Sequence, residues 1–154
     1  MSGTSMDGLD CGLFEIILTS NYKLDWTCID FQTFPYSSGI LDSIRMSLQG
    51  NTKVMQEADR KLGKEFAVLS ENFIKGRQID FIATHGQTIA HDDGISSHQI
   101  GDPKYLQQKI HVPVVYNLRQ EDIDVGGNGA PLMPFLDWLL FQDKNHDTIT
   151  LNLG

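Results

Sequence analysis

The sequence has few cysteines, a deficit of positive charge and no long apolar run. Its two cysteines, Cys11 and Cys28, lie in candidate strands and form no CxxC pair, so neither a disulfide framework nor a zinc knuckle is indicated. Lys and Arg number 12 against 20 Asp and Glu, without a basic cluster, which argues against nucleic acid or an anionic membrane as a partner. No apolar run approaches the ~20 residues of a membrane span, and the N-terminus has no signal-peptide pattern. We therefore expect a reduced, cytoplasmic protein.

The length and composition predict one folded unit. The chain has 154 residues, of which 40% are hydrophobic, and a usual domain has about 150 residues. A globular chain of this size buries about 70% of the surface that its unfolded form exposes. No internal repeat, low-complexity tract or charge block marks a linker, so we expect a single continuous domain.

The spacing of apolar residues predicts an α/β domain with the order β, β, α, α, β, β, α, β, α, β. We expect strands over residues 13–18, 24–34, 79–83, 97–100, 112–118 and 148–153, with hairpin and turn connections at 19–23 and 84–86. We expect a first helix from a Ser38 cap to a break at residues 50–51, and a second from Thr52 to Lys75 with Gly76 as its C-terminal cap. A third, short helix is expected to have Pro103 at its first position. A fourth is expected from Pro131 to Phe141.

The strongest local signal is GTSMDGLD at residues 3–10, directly before a strand. Its glycines allow backbone N–H groups to approach an anion, and Thr4 and Ser5 add hydroxyl donors. Asp7 or Asp10 can hold a magnesium ion, directly or through water. An ordinary tight hairpin with an Asp-Gly turn remains open as an alternative. The Walker A pattern is absent, and the strand after Ser5 argues against a serine-hydrolase elbow.

Two further segments place polar side chains after strands. THGQT at residues 84–88 lies where α/β sheets bind ligands, and His85 and Gln87 can hydrogen-bond sugar hydroxyls. RQEDIDVGGNGAPL at residues 119–132 joins Arg119, whose planar fork suits a carboxylate or phosphate, to a glycine cluster before a helix. A solvated loop histidine and a loop with a proline cap remain the alternatives. The spacing of the histidines matches no usual zinc pattern.

These segments, in this order, resemble the motifs of the anhydro-N-acetylmuramic acid kinase family. The resemblance rests on MSGTSMDG at residues 1–8, HGQT at 85–88, QIGDP at 99–103, NLRQEDIDVGGNGAPLMP at 117–134 and LNLG at 151–154. It implies the first lobe of the actin, Hsp70 and sugar-kinase ATPase fold, a mixed sheet flanked by helices. By the same resemblance, the first strand and the second lobe are expected to be missing from this chain. Asn117-Leu118 and Ala90 depart from the usual pattern.

The resemblance implies an ATP-dependent kinase that opens 1,6-anhydro-N-acetylmuramic acid with water and phosphorylates O6, with ATP and Mg as cofactors. The full-length protein is expected to be a homodimer, and the fragment is expected to be inactive alone. The general base is expected downstream of Gly154. Asp122 is expected to order Arg119 or the glycine loop. The expected ATP-phosphate-binding residues are Gly3, Thr4, Ser5, Met6, Asp7, Gly8, Leu9 and Asp10, with Asp7 on magnesium; the expected substrate-binding residues are His85, Gln87, Thr88, Arg119, Asp122 and Asn128.

Two alternatives stay open at this point. The chain can be a lobe that binds a sugar or a phosphate without turning it over, or it can belong to a kinase of the same fold that acts on another sugar, because one scaffold hosts several substrates.

Overall fold

A computed structural model describes residues 8–18, 24–143 and 145–151 of the chain. These residues form six strands and five helices, in the order β1 Gly8–Leu18, β2 Leu24–Pro35, α1 Ser38–Ser47, α2 Thr52–Ile74, β3 Ile82–Ala83, β4 Gln87–Asp92, β5 Ser96–Ile100, α3 Lys104–Ile110, β6 Val114–Val115, α4 Leu118–Asp124 and α5 Met133–Phe141. The predicted α/β class is confirmed.

The first two strands form a long antiparallel hairpin. The register pairs Gly8 with Pro35 at one end and Leu18 with Leu24 at the other. Both strands were predicted, but β1 starts at Gly8, earlier than expected, so the last part of GTSMDGLD belongs to the strand. The predicted connection at residues 19–23 lies outside the described residues.

Two consecutive helices follow, and each begins at a side-chain cap. Ser37, not the predicted Ser38, caps α1, because Ser37 keeps the extended backbone of an N-cap and its hydroxyl accepts a hydrogen bond from the first turn. Asn51 caps α2 in the same way. Lys75 ends α2 in the left-handed conformation, and Gly76 follows it with a positive φ. The Thr52–Ile74 helix therefore matches its prediction almost to the residue.

The remaining strands form two further pairs. β3 lies parallel to β6, and β4 lies antiparallel to β5. Among the described residues the strands thus form three two-stranded sheets, which combine parallel and antiparallel pairing. The strands predicted over 79–83 and 112–118 are shorter than expected. β4 was not predicted, because THGQT was interpreted as part of a turn.

The starts of three helices differ from their predictions. Pro103 is the residue before α3 rather than its first residue. Leu118 begins α4, whereas the sequence predicted a strand ending there and a loop beyond it. α5 begins at Met133 rather than at Pro131, with Pro134 in its first turn, where the missing N–H of proline costs no helical hydrogen bond.

The strand predicted over residues 148–153 is wrong where it can be compared. Residues 148–151 are not in a strand, and residues 152 and 153 lie outside the described part of the chain. A strand needs a neighbour for its backbone N–H and C=O groups, and none of the described strands pairs with residues 148–151.

The core lies on one face of α2. There Leu62 and Phe66 pack with Ile44 of α1, Ile100 at the end of β5 and Leu106 of α3. All five side chains are buried. This packing holds the segment after β5 against α2 and thereby fixes one wall of the cavity described below.

Both cysteines are free thiols and lie in strands, as predicted, Cys11 in β1 and Cys28 in β2. Cys11 is half-buried and Cys28 is exposed. Burial raises the pKa of the Cys11 thiol. In the three described ranges, no helix combines the length and the apolarity that crossing a bilayer requires.

Candidate functional site

The carboxyl ends of two parallel strands lie side by side at β3 and β6. Ile82 pairs with Val114 and Ala83 with Val115, and the Thr84 N–H continues the pairing by donating to the Val115 carbonyl at 2.8 Å. Residues 84–86 and 116–117 leave the strands together at this edge. Crevices at the carboxyl ends of parallel strands are the usual ligand sites of α/β sheets, so this edge is the natural place for the functional site.

A cavity of about 230 Å³ lies at this edge. Its wall combines the two strand ends with Asp59 of α2 and the segment that follows β5. The lining includes hydroxyl, amide, carboxylate and imidazole groups: Asp59, Thr84, His85, Gly86, Gln99, Ile100, Gly101, Asp102, Pro103, Tyr116 and Asn117. Such a mixture of donors and acceptors suits a neutral, hydroxyl-rich ligand.

Asp59 is a half-buried carboxylate at the cavity wall. Its Oδ1 accepts a hydrogen bond from the Gly101 N–H at 2.8 Å, and its backbone carbonyl accepts from the Asp102 N–H at 3.2 Å. Burial raises the pKa of Asp59, while the hydrogen bond from Gly101 opposes that shift. Asp59 therefore ties α2 to the start of α3 and places a carboxylate beside the cavity.

His85 connects the cavity to Arg119 of α4. The Arg119 Nε–H donates to His85 Nε2 at 2.8 Å, and His85 Nδ1 lies 3.2 Å from the Gly86 carbonyl oxygen. Burial lowers the pKa of His85, the hydrogen bond to Gly86 opposes this shift, and the charge of Arg119 adds to it. The structure therefore brings two of the predicted substrate-binding residues together.

Asp122 joins the same network through the glycine loop. Arg119 Nη1 donates to the Gly129 carbonyl at 2.7 Å, and the Gly129 N–H donates to Asp122 Oδ2 at 2.8 Å. A Cβ on Gly127 would collide with the Asp122 carboxylate, so only a glycine at this position lets the loop pass so close to Asp122. Asp122 orders the glycine loop, which holds the guanidinium of Arg119 from the other side.

Three other predicted residues lie apart from this network. Gln87 is only 2% exposed, and its Nε2 donates to the Thr88 carbonyl at 3.2 Å. Thr88 pairs with Gln99 in the β4–β5 ladder. Asn128 is exposed and contacts the β4–β5 turn, where its carbonyl accepts from the Gly94 N–H at 3.2 Å. Their roles in substrate binding stay predictions.

The predicted phosphate site lies mostly outside the described residues. This applies to residues 3–7, including the proposed magnesium ligand Asp7. Gly8 and Leu9 are buried at the start of β1, and Asp10 Oδ1 accepts a hydrogen bond from Thr33 Oγ1 at 2.6 Å. In the portion of the chain that the structure describes, no three His, Cys, Asp or Glu side chains are grouped to hold a metal ion.

The family model for "Anhydro-N-acetylmuramic acid kinase" matches residues 1–154, the whole chain. The chain belongs to this family. Proteins of the same name in Francisella tularensis subsp. novicida, Shewanella loihica and Bacillus cereus strain B4264 are 39%, 35% and 33% identical to this chain. Each of the three alignments covers 100% of this chain. The chain spans 43 to 44% of the length of these relatives.

For this member of the anhydro-N-acetylmuramic acid kinase family, the segments singled out in the sequence contain nine of the eleven residues that line the cavity, although only His85 among them was predicted to bind substrate. Asp59 was not singled out, although Asp59 and Gly63 stand four residues apart and so share one edge of α2. Asn117, noted only as a departure from the family pattern, lines the cavity with a φ of 63°. Asparagine is one of the few residues that adopt this left-handed conformation readily, which gives a local reason for its presence.

Proposed function

We propose that the chain is the N-terminal lobe of a two-lobe, ATP-dependent kinase that hydrolytically opens 1,6-anhydro-N-acetylmuramic acid and phosphorylates O6. The observation that carries the proposal is the match of the family model to residues 1–154. The names of the relatives support the substrate, and the cavity at the carboxyl ends of β3 and β6 supports a ligand site within this lobe.

The described residues have two parts in this proposal. The cavity offers hydroxyl and amide groups to sugar hydroxyls, and Arg119 offers a guanidinium to an anionic group of a ligand. Binding pockets that enclose a whole small ligand have volumes of about 300 Å³ or more. A cavity of about 230 Å³ is therefore large enough for one part of the sugar, and the second lobe would cover the rest.

The proposed reaction changes two bonds of the sugar. Water adds to C1 as the C1–O6 bond of the anhydro bridge breaks, and its proton passes to a general base expected downstream of Gly154. The released O6 forms a bond to the γ-phosphorus of ATP, and ADP leaves. Residues 3–10 would hold the triphosphate, with Asp7 on magnesium directly or through water; bound magnesium supplies charge that offsets the phosphates. This part of the proposal rests on the sequence motif.

The proposal also includes a cytoplasmic homodimer of the full-length protein. The fragment alone is proposed to be inactive, because the general base and the second lobe would be missing from it. Both statements derive from the family resemblance.

The test uses the full-length protein with ATP, magnesium and the anhydro-sugar in water enriched in ¹⁸O. We expect N-acetylmuramic acid 6-phosphate that carries one ¹⁸O at C1, detected by mass spectrometry.

Loss of a hydrogen bond to a charged group costs about 1.5–3 kcal/mol, so Arg119→Ala is expected to lower kcat/KM about tenfold or more. Arg60→Ala, on the exposed side of α2, is the matched control.

Each other outcome has a distinct meaning. Sugar binding without turnover by the full-length protein would favour a non-catalytic binding lobe. Phosphorylation of another sugar but not of the anhydro-sugar would keep the kinase and overturn the substrate. Product formation without ¹⁸O at C1 would contradict the hydrolytic step.

A further inference from the structure

The two ring nitrogens of His85 face partners of opposite kind. Nε2 lies 2.8 Å from Arg119 Nε, and Nδ1 lies 3.2 Å from the Gly86 carbonyl oxygen. An arginine Nε carries a proton that it can only donate, whereas a carbonyl oxygen can only accept. Both hydrogen bonds form together only when Nε2 is unprotonated and Nδ1 carries the proton. The heavy-atom partners therefore assign one neutral tautomer to His85.

This assignment limits what His85 can do. Its basic lone pair, on Nε2, already accepts the proton of Arg119, so it is not available to take a proton from a substrate. Arg119 in turn has Nε bound to His85 and Nη1 bound to the Gly129 carbonyl. Within the described residues, its third nitrogen, Nη2, makes no hydrogen bond. A planar guanidinium held at two nitrogens has its third in a fixed direction.

We propose that His85 is a positioning residue, which accepts the Nε–H of Arg119 through its unprotonated Nε2 and so fixes Nη2 of Arg119 for an anionic or hydroxyl-bearing ligand. The ligand in this inference rests on the proposed function, whereas the tautomer and the His85–Arg119 contact do not. The inference adds to that function a specific requirement: His85 must be neutral for Arg119 to be held.

The requirement makes the site sensitive to acid. A protonated His85 has no lone pair on Nε2 and would place a second positive charge against Arg119. Burial lowers the pKa of His85 and the Arg119 charge adds to this shift, while the hydrogen bond to Gly86 opposes it; the net lowering favours the neutral ring. The other titratable groups lining the same cavity are Asp59, Asp102 and Tyr116. Both carboxylates have other partners, since Asp59 accepts from Gly101 and Asp102 is paired with Lys104.

The tautomer can be measured without any substrate. The full-length protein is labelled with ¹⁵N in its histidines, and the His85 signals are identified by their loss in His85→Gln. At neutral pH we expect a neutral imidazole that carries its proton on Nδ1 and accepts a hydrogen bond from Arg119 on Nε2. On acidification we expect Nε2 to become protonated and this hydrogen bond to be lost. An Nε2-protonated or fully charged ring at neutral pH would overturn the inference, whatever the enzyme does with sugar.

Two substitutions separate positioning from packing. His85→Phe keeps a planar ring but has no acceptor, and is expected to raise the KM for the sugar about tenfold, with a smaller effect on kcat. In His85→Gln the amide oxygen can accept from Arg119 and cannot be protonated. We expect the KM of the wild type to rise on acidification, and we expect His85→Gln to recover most of the lost affinity and to lack this rise. His98→Phe, at an exposed position of β5, is the matched control.

Equal losses in His85→Phe and His85→Gln would contradict the positioning role, as would an unchanged acid response in His85→Gln. Failure of the full-length protein to phosphorylate the anhydro-sugar would overturn the proposed function instead. In that case the labelled imidazole and its coupling to Arg119 still decide the inference.

Discussion

Helices α2 and α5 are both rich in apolar residues, yet they differ in what covers them. Phe66 of α2 is 1% exposed, whereas Phe135 and Trp138 of α5 are 64% and 53% exposed. No residue of α5 is buried, although its sequence, MPFLDWLLF, contains a single charged residue. Two of the α5 aromatics contact each other, with the Phe135 and Trp138 rings stacked at a centroid distance of 6.0 Å.

The difference shows that the number of apolar residues in a helix and their arrangement around its axis say different things about packing. α2 carries its apolar residues on one face, so the sequence already tells which side meets α1, β5 and α3. α5 is apolar around most of its circumference, and such a pattern gives no direction for packing. Burial therefore has to come from neighbouring elements, which for α2 are α1, β5 and α3.

The comparison is tested most strongly by removing one aromatic ring from each helix. Phe66→Ala leaves a cavity among Leu62, Ile100 and Leu106, and phenylalanine-to-alanine changes in a core cost about 3–5 kcal/mol of unfolding free energy. Trp138→Ala removes a half-exposed ring and is expected to cost about 1 kcal/mol or less. Urea denaturation of the 154-residue chain measures both values. Equal costs would mean that α5 is as well covered as α2.

A smaller effect is expected where α2 approaches the segment before α3. A Cβ on Gly63 would lie 2.5 Å from the Asp102 carbonyl oxygen and 2.9 Å from the Asp102 nitrogen. Gly63→Ala must therefore shift the backbone, and overpacking of this kind costs about 1–3 kcal/mol. Gly39→Ala in α1 is the control, because no atom lies within 4 Å of a Cβ there. We expect this control to be neutral or slightly stabilising.

If Gly63→Ala and Gly39→Ala change the unfolding free energy alike, the close approach of α2 to Asp102 is wrong. A loss confined to Gly63→Ala would support the contact that forms one wall of the cavity.

The same contrast explains which parts of the fold could be predicted. α2 was predicted almost completely, because its cap, its apolar spacing and its end are all local features. α4 was missed, because residues 119–124 are mostly polar and precede a glycine cluster that is typical of a loop. Its helical turns are held by contacts such as the Ser97 N–H donating to Gln120 Oε1 at 3.1 Å, which no local pattern reveals.

The candidate site was predictable in its residue types but not in its geometry. His85 and Arg119 were both singled out, since each follows a strand. Their contact depends on the parallel pairing of β3 with β6, which brings together residues that are 34 positions apart. Asp59 was missed because it lies within a long helix, where a charged residue usually indicates a solvated face.

The smallest expected effect concerns the charge of Asp59, the α2 residue at the cavity wall. Burial raises its pKa above the usual value for an aspartate, so the folded chain keeps this proton to higher pH than the unfolded chain does. The contribution of Asp59 to the free energy of unfolding therefore falls as the pH rises from the usual aspartate pKa to beyond the raised pKa of the folded chain. Asp59→Asn cannot ionise, and its amide oxygen can still accept from the Gly101 N–H. We expect its stability relative to wild type to increase with pH across that window and then to level, in urea denaturation from acid to neutral pH. Asp80→Asn, at an exposed position before β3, reports the effect of net charge alone; a curve for Asp59→Asn that follows this control would contradict the buried carboxylate.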